Sequence, residues 1–179
     1  MRICVYGPPG CGKSMTASWL CRELNLNGYE VPFVHEFVKT KAHRKEKIHE
    51  MDQFFIFGNQ IMLEVAPFIN GFKHIITECP VMLCAYYEKT VFRKYIVDIV
   101  KEYDNVRKPL NIWLDREGIP YQTKGRWQTE EEAIEMEKDM FNFMKGIYGK
   151  SLIKVKTLHK QRLYEIAAKA IRKEEKEKL

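Results

Sequence analysis

Eight residues near the start of the chain, Gly7-Pro8-Pro9-Gly10-Cys11-Gly12-Lys13-Ser14, restrict it more than any other stretch. They match G-x-x-x-x-G-K-S and stand between an apolar run, Ile3-Cys4-Val5-Tyr6, and a helical pattern over residues 13–24 that groups Trp19, Leu20 and Leu24. A strand feeding such a loop into a helix N-terminus aims successive backbone N–H groups at one point, and the aligned peptide dipoles add positive potential there. The spacing therefore predicts a cradle for a diphosphate. Gly10 and Gly12 allow the backbone angles and the close approach, while Pro8 and Pro9 precede the amides that turn inward. Lys13 supplies a mobile charge to the β- and γ-phosphates, the Ser14 hydroxyl is a ligand for Mg²⁺, and the stretch from Gly7 to Met15 holds the nucleoside triphosphate, taken to be ATP.

Composition narrows the setting. The 179 residues, 45% hydrophobic and 12% aromatic, suit a single domain with a full core. Five cysteines (4, 11, 21, 79 and 84) lack a C-x-x-C pair, which favours a reducing cytoplasm over a disulfide framework or a zinc site. Cys4 and Cys79 read as buried fillers, and Cys11 as an exposed residue of the phosphate loop. The first apolar run stops at Gly7, too soon for a signal peptide or a membrane span, so no membrane partner is expected. Net charge is +6, and residues 39–47 concentrate five basic side chains, which favours anionic partners. Oligomeric state is left open.

Strand and helix signals alternate along the chain. Strands are expected at residues 3–6, 31–34, 74–78, 110–114 and 152–155. Between them a helix from Asp52 carries Phe54, Phe57, Ile61, Val65 and Phe68 at helical spacing, with Pro67 kinking or ending it. A second, over 88–105, sets Phe92, Tyr95, Ile99 and Tyr103 on one face. A third opens with Thr129 as N-cap and Glu132 three residues on, a capping box, and faces inward with Ala133, Met136, Met140, Met144 and Ile147. The last groups Leu163, Ile166, Ala167, Ala170 and Ile171. Such alternation predicts an α/β fold of three layers: a parallel sheet of about five strands with helices on both faces, plus a small lid over residues 115–129.

Ligands of open parallel sheets sit at the carboxyl ends of the strands. Glu78 ends the third strand and is placed to hold water on Mg²⁺. Glu36 ends the second, across from the triphosphate, where a carboxylate can take the proton of an attacking hydroxyl. Its neighbour His35 points the other way by alternation. Arg116 and Arg126 flank a loop rich in turn signals, and one of them is expected to touch phosphate when the lid closes, Arg126 being favoured; Trp127 either stacks on a base or anchors the lid.

The combination of G-P-P-G-C-G-K-S, H-E-F-V-K, T-E-C-P, L-D-R and G-R-W-Q-T-E-E-E-A resembles the small bacteriophage P-loop kinases related to nucleoside and nucleotide kinases, a group carrying the AAA-type ATPase label. Within it the chain is similar to 5-hydroxymethyluracil DNA kinases. The resemblance runs from residue 1 to about 150. It implies an ATP- and Mg²⁺-dependent phosphotransferase acting on the 5-hydroxymethyl group of 5-hydroxymethyluracil in double-stranded phage DNA. It implies as well that Lys13 and Ser14 serve the triphosphate and metal, Glu36 the acceptor, Glu78 the metal and Arg126 the lid. Relatives more often carry Asp at the position of Glu78. Two further readings stand beside this one: a deoxynucleoside or nucleoside monophosphate kinase, and a nucleotide-dependent DNA-binding ATPase. An AAA+ remodelling machine is disfavoured, because no helical lid domain is present.

Overall fold

The computed structural model describes residues 1–39, 52–116, 120 and 129–177. The basic run beyond Lys39 and most of the expected lid, including Gly125, Arg126 and Trp127, lie outside the described residues.

Five strands form one sheet: β1 (Arg2–Tyr6), β2 (Phe33–Val34), β3 (Ile75–Thr77), β4 (Pro109–Asp115) and β5 (Leu152–Lys156). Their order is β2-β3-β1-β4-β5 and every pairing is parallel. Among the described residues the main helices that connect or follow them are α1 (Lys13–Leu26), α2 (Gln53–Ile69), α3 (Met82–Tyr87), α4 (Arg93–Val106), α5 (Glu130–Tyr148) and α6 (Lys160–Glu177). Because β1 lies between β3 and β4, with Cys4 opposite Thr77 and Tyr6 opposite Trp113, the phosphate loop leaves the sheet at its centre.

Strand alternation sorts the core into two layers. From β1, Cys4 and Tyr6 face a cluster built with α2 through α5, including Phe57, Met82, Ile96, Val100, Met140 and Met144. Ile3 and Val5 face the other cluster, in which Leu20 and Leu24 of α1 meet Leu163, Ala167 and Ile171 of α6. Each fully buried leucine or isoleucine there contributes about 1.5–3 kcal/mol relative to exposure. The expected three layers, the strand count and the capping box all hold. Thr129 accepts from the Glu132 N–H (3.2 Å), and Glu132 accepts from the Thr129 N–H (2.8 Å). Asp52 caps α2 by accepting from the Phe54 N–H at 2.6 Å.

Two helix faces depart from expectation. In α2 the buried stripe is Ile56, Phe57, Gln60 and Glu64, while Phe54 lies partly outside. Apolar residues surround this helix on nearly all sides, so their spacing does not single out a face; the two polar residues do, because each has partners only in the interior. In α4 the buried residues are Ile96 and Val100, and the expected face at Phe92, Tyr95 and Ile99 is exposed. Short helix α3, buried from Met82 to Tyr86, follows Pro80 with no periodicity to announce it. Pro67 neither ends nor splits α2, which runs on to Ile69.

Candidate functional site

The phosphate loop fills the turn between β1 and α1. Gly12 stands at the N-cap of α1 with φ 81°, a left-handed conformation that glycine adopts without strain, and Gly10 is similar at 87°. Gly7, with φ 151°, is needed for a further reason. A Cβ built there would stand 2.5 Å from Cys11 Sγ, so the sulfur already fills the space beneath residue 7. Cys11 is thus fully buried, packed with Val5 and Ala17, which corrects the expectation of an exposed thiol. Side-chain volume under the loop outweighed its surface position. Met15, by contrast, is 56% exposed. Lys13 lies back across the loop, its Nζ donating to the carbonyls of Gly7 (2.8 Å) and Pro8 (2.9 Å).

The ends of β3 and β2 meet this loop on one side. Glu78, following β3, is buried and surrounded by donors: the Glu36 N–H (3.3 Å), the Ser14 hydroxyl and Lys39 Nζ (3.3 Å). Burial alone would raise its carboxyl, but the Ser14 hydrogen bond and the Lys39 charge take it below the ordinary carboxylate range. Lys39 Nζ also donates to Ser14 Oγ at 2.6 Å. Glu36, following β2, is governed chiefly by burial, which pushes its carboxyl up; the Lys13 charge opposes that, and the Cys79 thiol hydrogen-bonds it. The expected trio of Ser14, Glu36 and Glu78 therefore does converge beside Lys13. His35 is brought nearer than alternation implied, its Nδ1 3.6 Å from Glu78 Oε1, though the ring is largely exposed.

Beyond β4, Arg116 pairs with Glu130 at the start of α5 (3.2 Å), and Asp115 pairs with Lys154 (3.0 Å). A concavity of about 240 Å³ opens here, bordered by Asp115, Lys154, Lys156, His159 and Arg162. Four basic or imidazole side chains against one carboxylate make its rim cationic.

Three residues of this constellation escaped sequence reasoning. Gln60 of α2 accepts from the Phe37 N–H (2.8 Å) and donates to the His35 carbonyl (3.2 Å), holding the backbone on both sides of Glu36. Its signal was a polar residue amid an apolar helix. Thr157, just past β5, places its hydroxyl 3.0 Å from the Cys11 carbonyl and 2.9 Å from that of Asp115. The fifth strand's end carried the same positional hint as the other four. Lys39 was read only as part of a charge run.

Hard oxygen donors are the right chemistry for Mg²⁺, and a cation already stands against Ser14 and Glu78, so these residues fit a divalent ion. Among the described residues no group of three or more His, Cys, Asp or Glu side chains gathers to hold a metal, so water and phosphate oxygens would complete the coordination.

The fold is that of phosphate-loop NTPases, a parallel sheet with its anion cradle at the central strand. Among solved structures the chain is similar throughout its length to the deoxyadenosine kinase of M. mycoides. One structure of that enzyme, with the products dCMP and a flexible dCDP bound, has TM-score 0.53 and 15% identity over 97% of this chain and 99% of that one. Another, with dATP bound, has TM-score 0.55 and 16% identity over 96% and 100%. The family model for the ATPase family associated with various cellular activities (AAA) matches residues 3–61, the phosphate loop and its surroundings. No curated protein matches. No helix among the described residues is long and apolar enough to cross a membrane.

Proposed function

We propose that this protein is an ATP-dependent kinase that moves the γ-phosphate to a hydroxyl of a deoxynucleoside unit. The observation that carries the reading is Glu36. A carboxylate held at the end of β2, with Gln60 gripping the backbone on either side and the Lys13 charge acting on it, supports a role toward the acceptor. In the transfer the acceptor oxygen forms a bond to the γ-phosphorus, the bond from phosphorus to the β,γ-bridging oxygen breaks, and ADP leaves with that electron pair. Glu36 takes the acceptor's proton and later passes it to water. The Lys13 ammonium leaves the carbonyls of Gly7 and Pro8 for the β- and γ-phosphate oxygens. Ser14 and Glu78 would hold Mg²⁺, which screens the phosphate charge when bound. The lid arginine, Arg126 or Arg116, would complete the cations around the transferring group.

Two acceptors follow from two different supports. The motif resemblance points to the 5-hydroxymethyl group of 5-hydroxymethyluracil in double-stranded DNA, a step in thymidine hypermodification in bacteriophage. The likeness in fold to a deoxyadenosine kinase favours a free deoxynucleoside or its monophosphate. The cationic rim at Lys154, Lys156 and Arg162 suits either, because both are anionic or enter beside anions. The deciding experiment is transfer of labelled γ-phosphate from Mg-ATP in parallel to hydroxymethyluracil DNA, unmodified DNA, deoxynucleosides and their monophosphates. Label on the modified DNA alone establishes the DNA acceptor, and label on a free nucleoside or nucleotide establishes precursor phosphorylation. Release of inorganic phosphate alone, the outcome for an ATPase that binds DNA, overturns the kinase reading.

A further inference from the structure

The cation between Ser14 and Glu78 is one the chain itself carries. Lys39 Nζ lies 2.6 Å from Ser14 Oγ and 3.3 Å from Glu78 Oε2. Those two oxygens are the donors assigned above to the divalent ion, so this inference rests on that reading of the site. Two cations cannot share them. Like charges a few ångströms apart repel, and each oxygen has few lone pairs to offer.

The tether decides whether the ammonium can leave. Residues 37–39 are helical, and the backbone beneath them is fixed by Gln60 through the Phe37 N–H and the His35 carbonyl. Motion is therefore left to the four-carbon side chain. The Lys39 side chain is 40% exposed where that of Glu78 is 1% exposed. A compact ammonium on a flexible stem exchanges partners readily, unlike the rigid fork of an arginine. Charge balance favours the same device. Glu36 and Glu78 face Lys13 and Lys39, a neutral quartet before any ligand arrives. A triphosphate with one divalent ion brings net negative charge, so a displaced Lys39 finds phosphate oxygens to meet.

We propose that Lys39 is an exchangeable resident cation of the phosphate site, competing with the divalent metal for Ser14 and Glu78 and giving way when the metal binds. It is a positioning residue for the metal.

The test uses Mn²⁺ alone, followed by water-proton relaxation, on the full chain and on Lys39→Met, Lys39→Arg and Lys101→Met, the last removing an exposed cation on α4. Lys39→Met should tighten Mn²⁺ binding by about threefold to fivefold, the worth of a partly exposed ion pair. Lys101→Met should leave it unchanged, and Lys39→Arg should stay near the parent or bind Mn²⁺ more weakly. An unchanged or weaker affinity in Lys39→Met, or an equal gain in Lys101→Met, overturns the proposal. Binding of a fluorescent ATP analogue, measured separately, keeps the two readings apart. Analogue bound with no Mn²⁺ gain in Lys39→Met removes Lys39 and leaves the nucleotide site standing. A Mn²⁺ gain with no analogue bound does the reverse.

Discussion

Two charge networks, one inside a helix layer and one at the rim of the sheet, use similar parts to opposite ends. Inside, the Arg2 guanidinium meets Glu64 at 3.1 Å, pairs with Asp104 and stacks 4.0 Å from the Tyr103 ring centroid. Glu64 accepts from the Val81 N–H as well, at 3.1 Å, and both Arg2 and Glu64 are fully buried. At the rim, Lys39 links Ser14 and Glu78 on a side chain that is 40% exposed. The interior charges are fixed by burial and by ion pairs that tie β1 to α2 and α4. At the rim Glu78 has as many partners, but its cation Lys39 is 40% exposed. Burial, more than residue type, separates a cation that fastens helices from one that a ligand can replace.

That contrast can be attacked from either side. The largest effect is expected at Glu36. Glu36→Gln keeps the shape and the grip of Gln60 but removes the base, so transfer to the acceptor should fall about 10²- to 10⁴-fold while ATP binding persists. Single-turnover transfer beside equilibrium binding would show it, and loss of both together would mean that the residue holds the loop. Arg2→Met strips the interior network of its cation and leaves Glu64 buried with only amide and hydroxyl partners. Urea denaturation should reveal a loss of about 3–5 kcal/mol, with nucleotide affinity of the folded protein unaltered. A stable Arg2→Met variant would erase the distinction between the two networks.

Thr157→Val acts at the rim without touching a charge. Removing a hydroxyl shared by the Cys11 and Asp115 carbonyls should cost about 1–3 kcal/mol in stability and weaken ATP binding, both checked by calorimetry. The smallest effect belongs to the interior. His74 is held below its ordinary value of 6.5, first by burial and then by the N-terminal ammonium, against the pull of Glu174 and Glu175 at 3.6 Å. Its neutral form is therefore the folded one. The stability it supports is complete above its unfolded value and drains away as pH falls through the lower folded value. Denaturation midpoints between about pH 7 and 5 should decline less steeply in His74→Gln than in the parent; parallel curves would remove His74 from the account.

The sequence announced some of this better than the rest. The phosphate loop, the five strands and the cap at Thr129 were legible because each depends on local chemistry: glycine angles, apolar runs, a side chain that reaches three residues. Glu36 and Glu78 were found from the rule that parallel sheets bind at strand ends. Strand order was not legible, since pairing joins residues as distant as Cys4 and Thr77. Nor was the face of α2, where apolar residues occur on nearly all sides and only Gln60 and Glu64, satisfied from within, mark the inner side; in α4 the choice fell between two adjacent apolar rows, and Ile96 and Val100 are the buried one. Lys39 was hidden by its setting. One member of a basic run looks like the others until a neighbouring strand delivers Glu78 beside it.

The packing of Cys11 beneath Gly7 narrows the phosphate-loop pattern in a way its usual spelling conceals. Position 11 is formally a free letter, yet its side chain and any side chain at position 7 would compete for one volume, and the Leu114 carbonyl, 3.2 Å from a Cβ at residue 7, closes off the remaining direction. Gly7, with φ 151° as well, therefore stays glycine whatever stands at position 11, and shrinking residue 11 alone would open a hole under the loop without admitting anything at residue 7. The free letter at position 11 is thus bounded by a volume shared with a residue four places earlier, and what fits there is set by what one strand end leaves vacant.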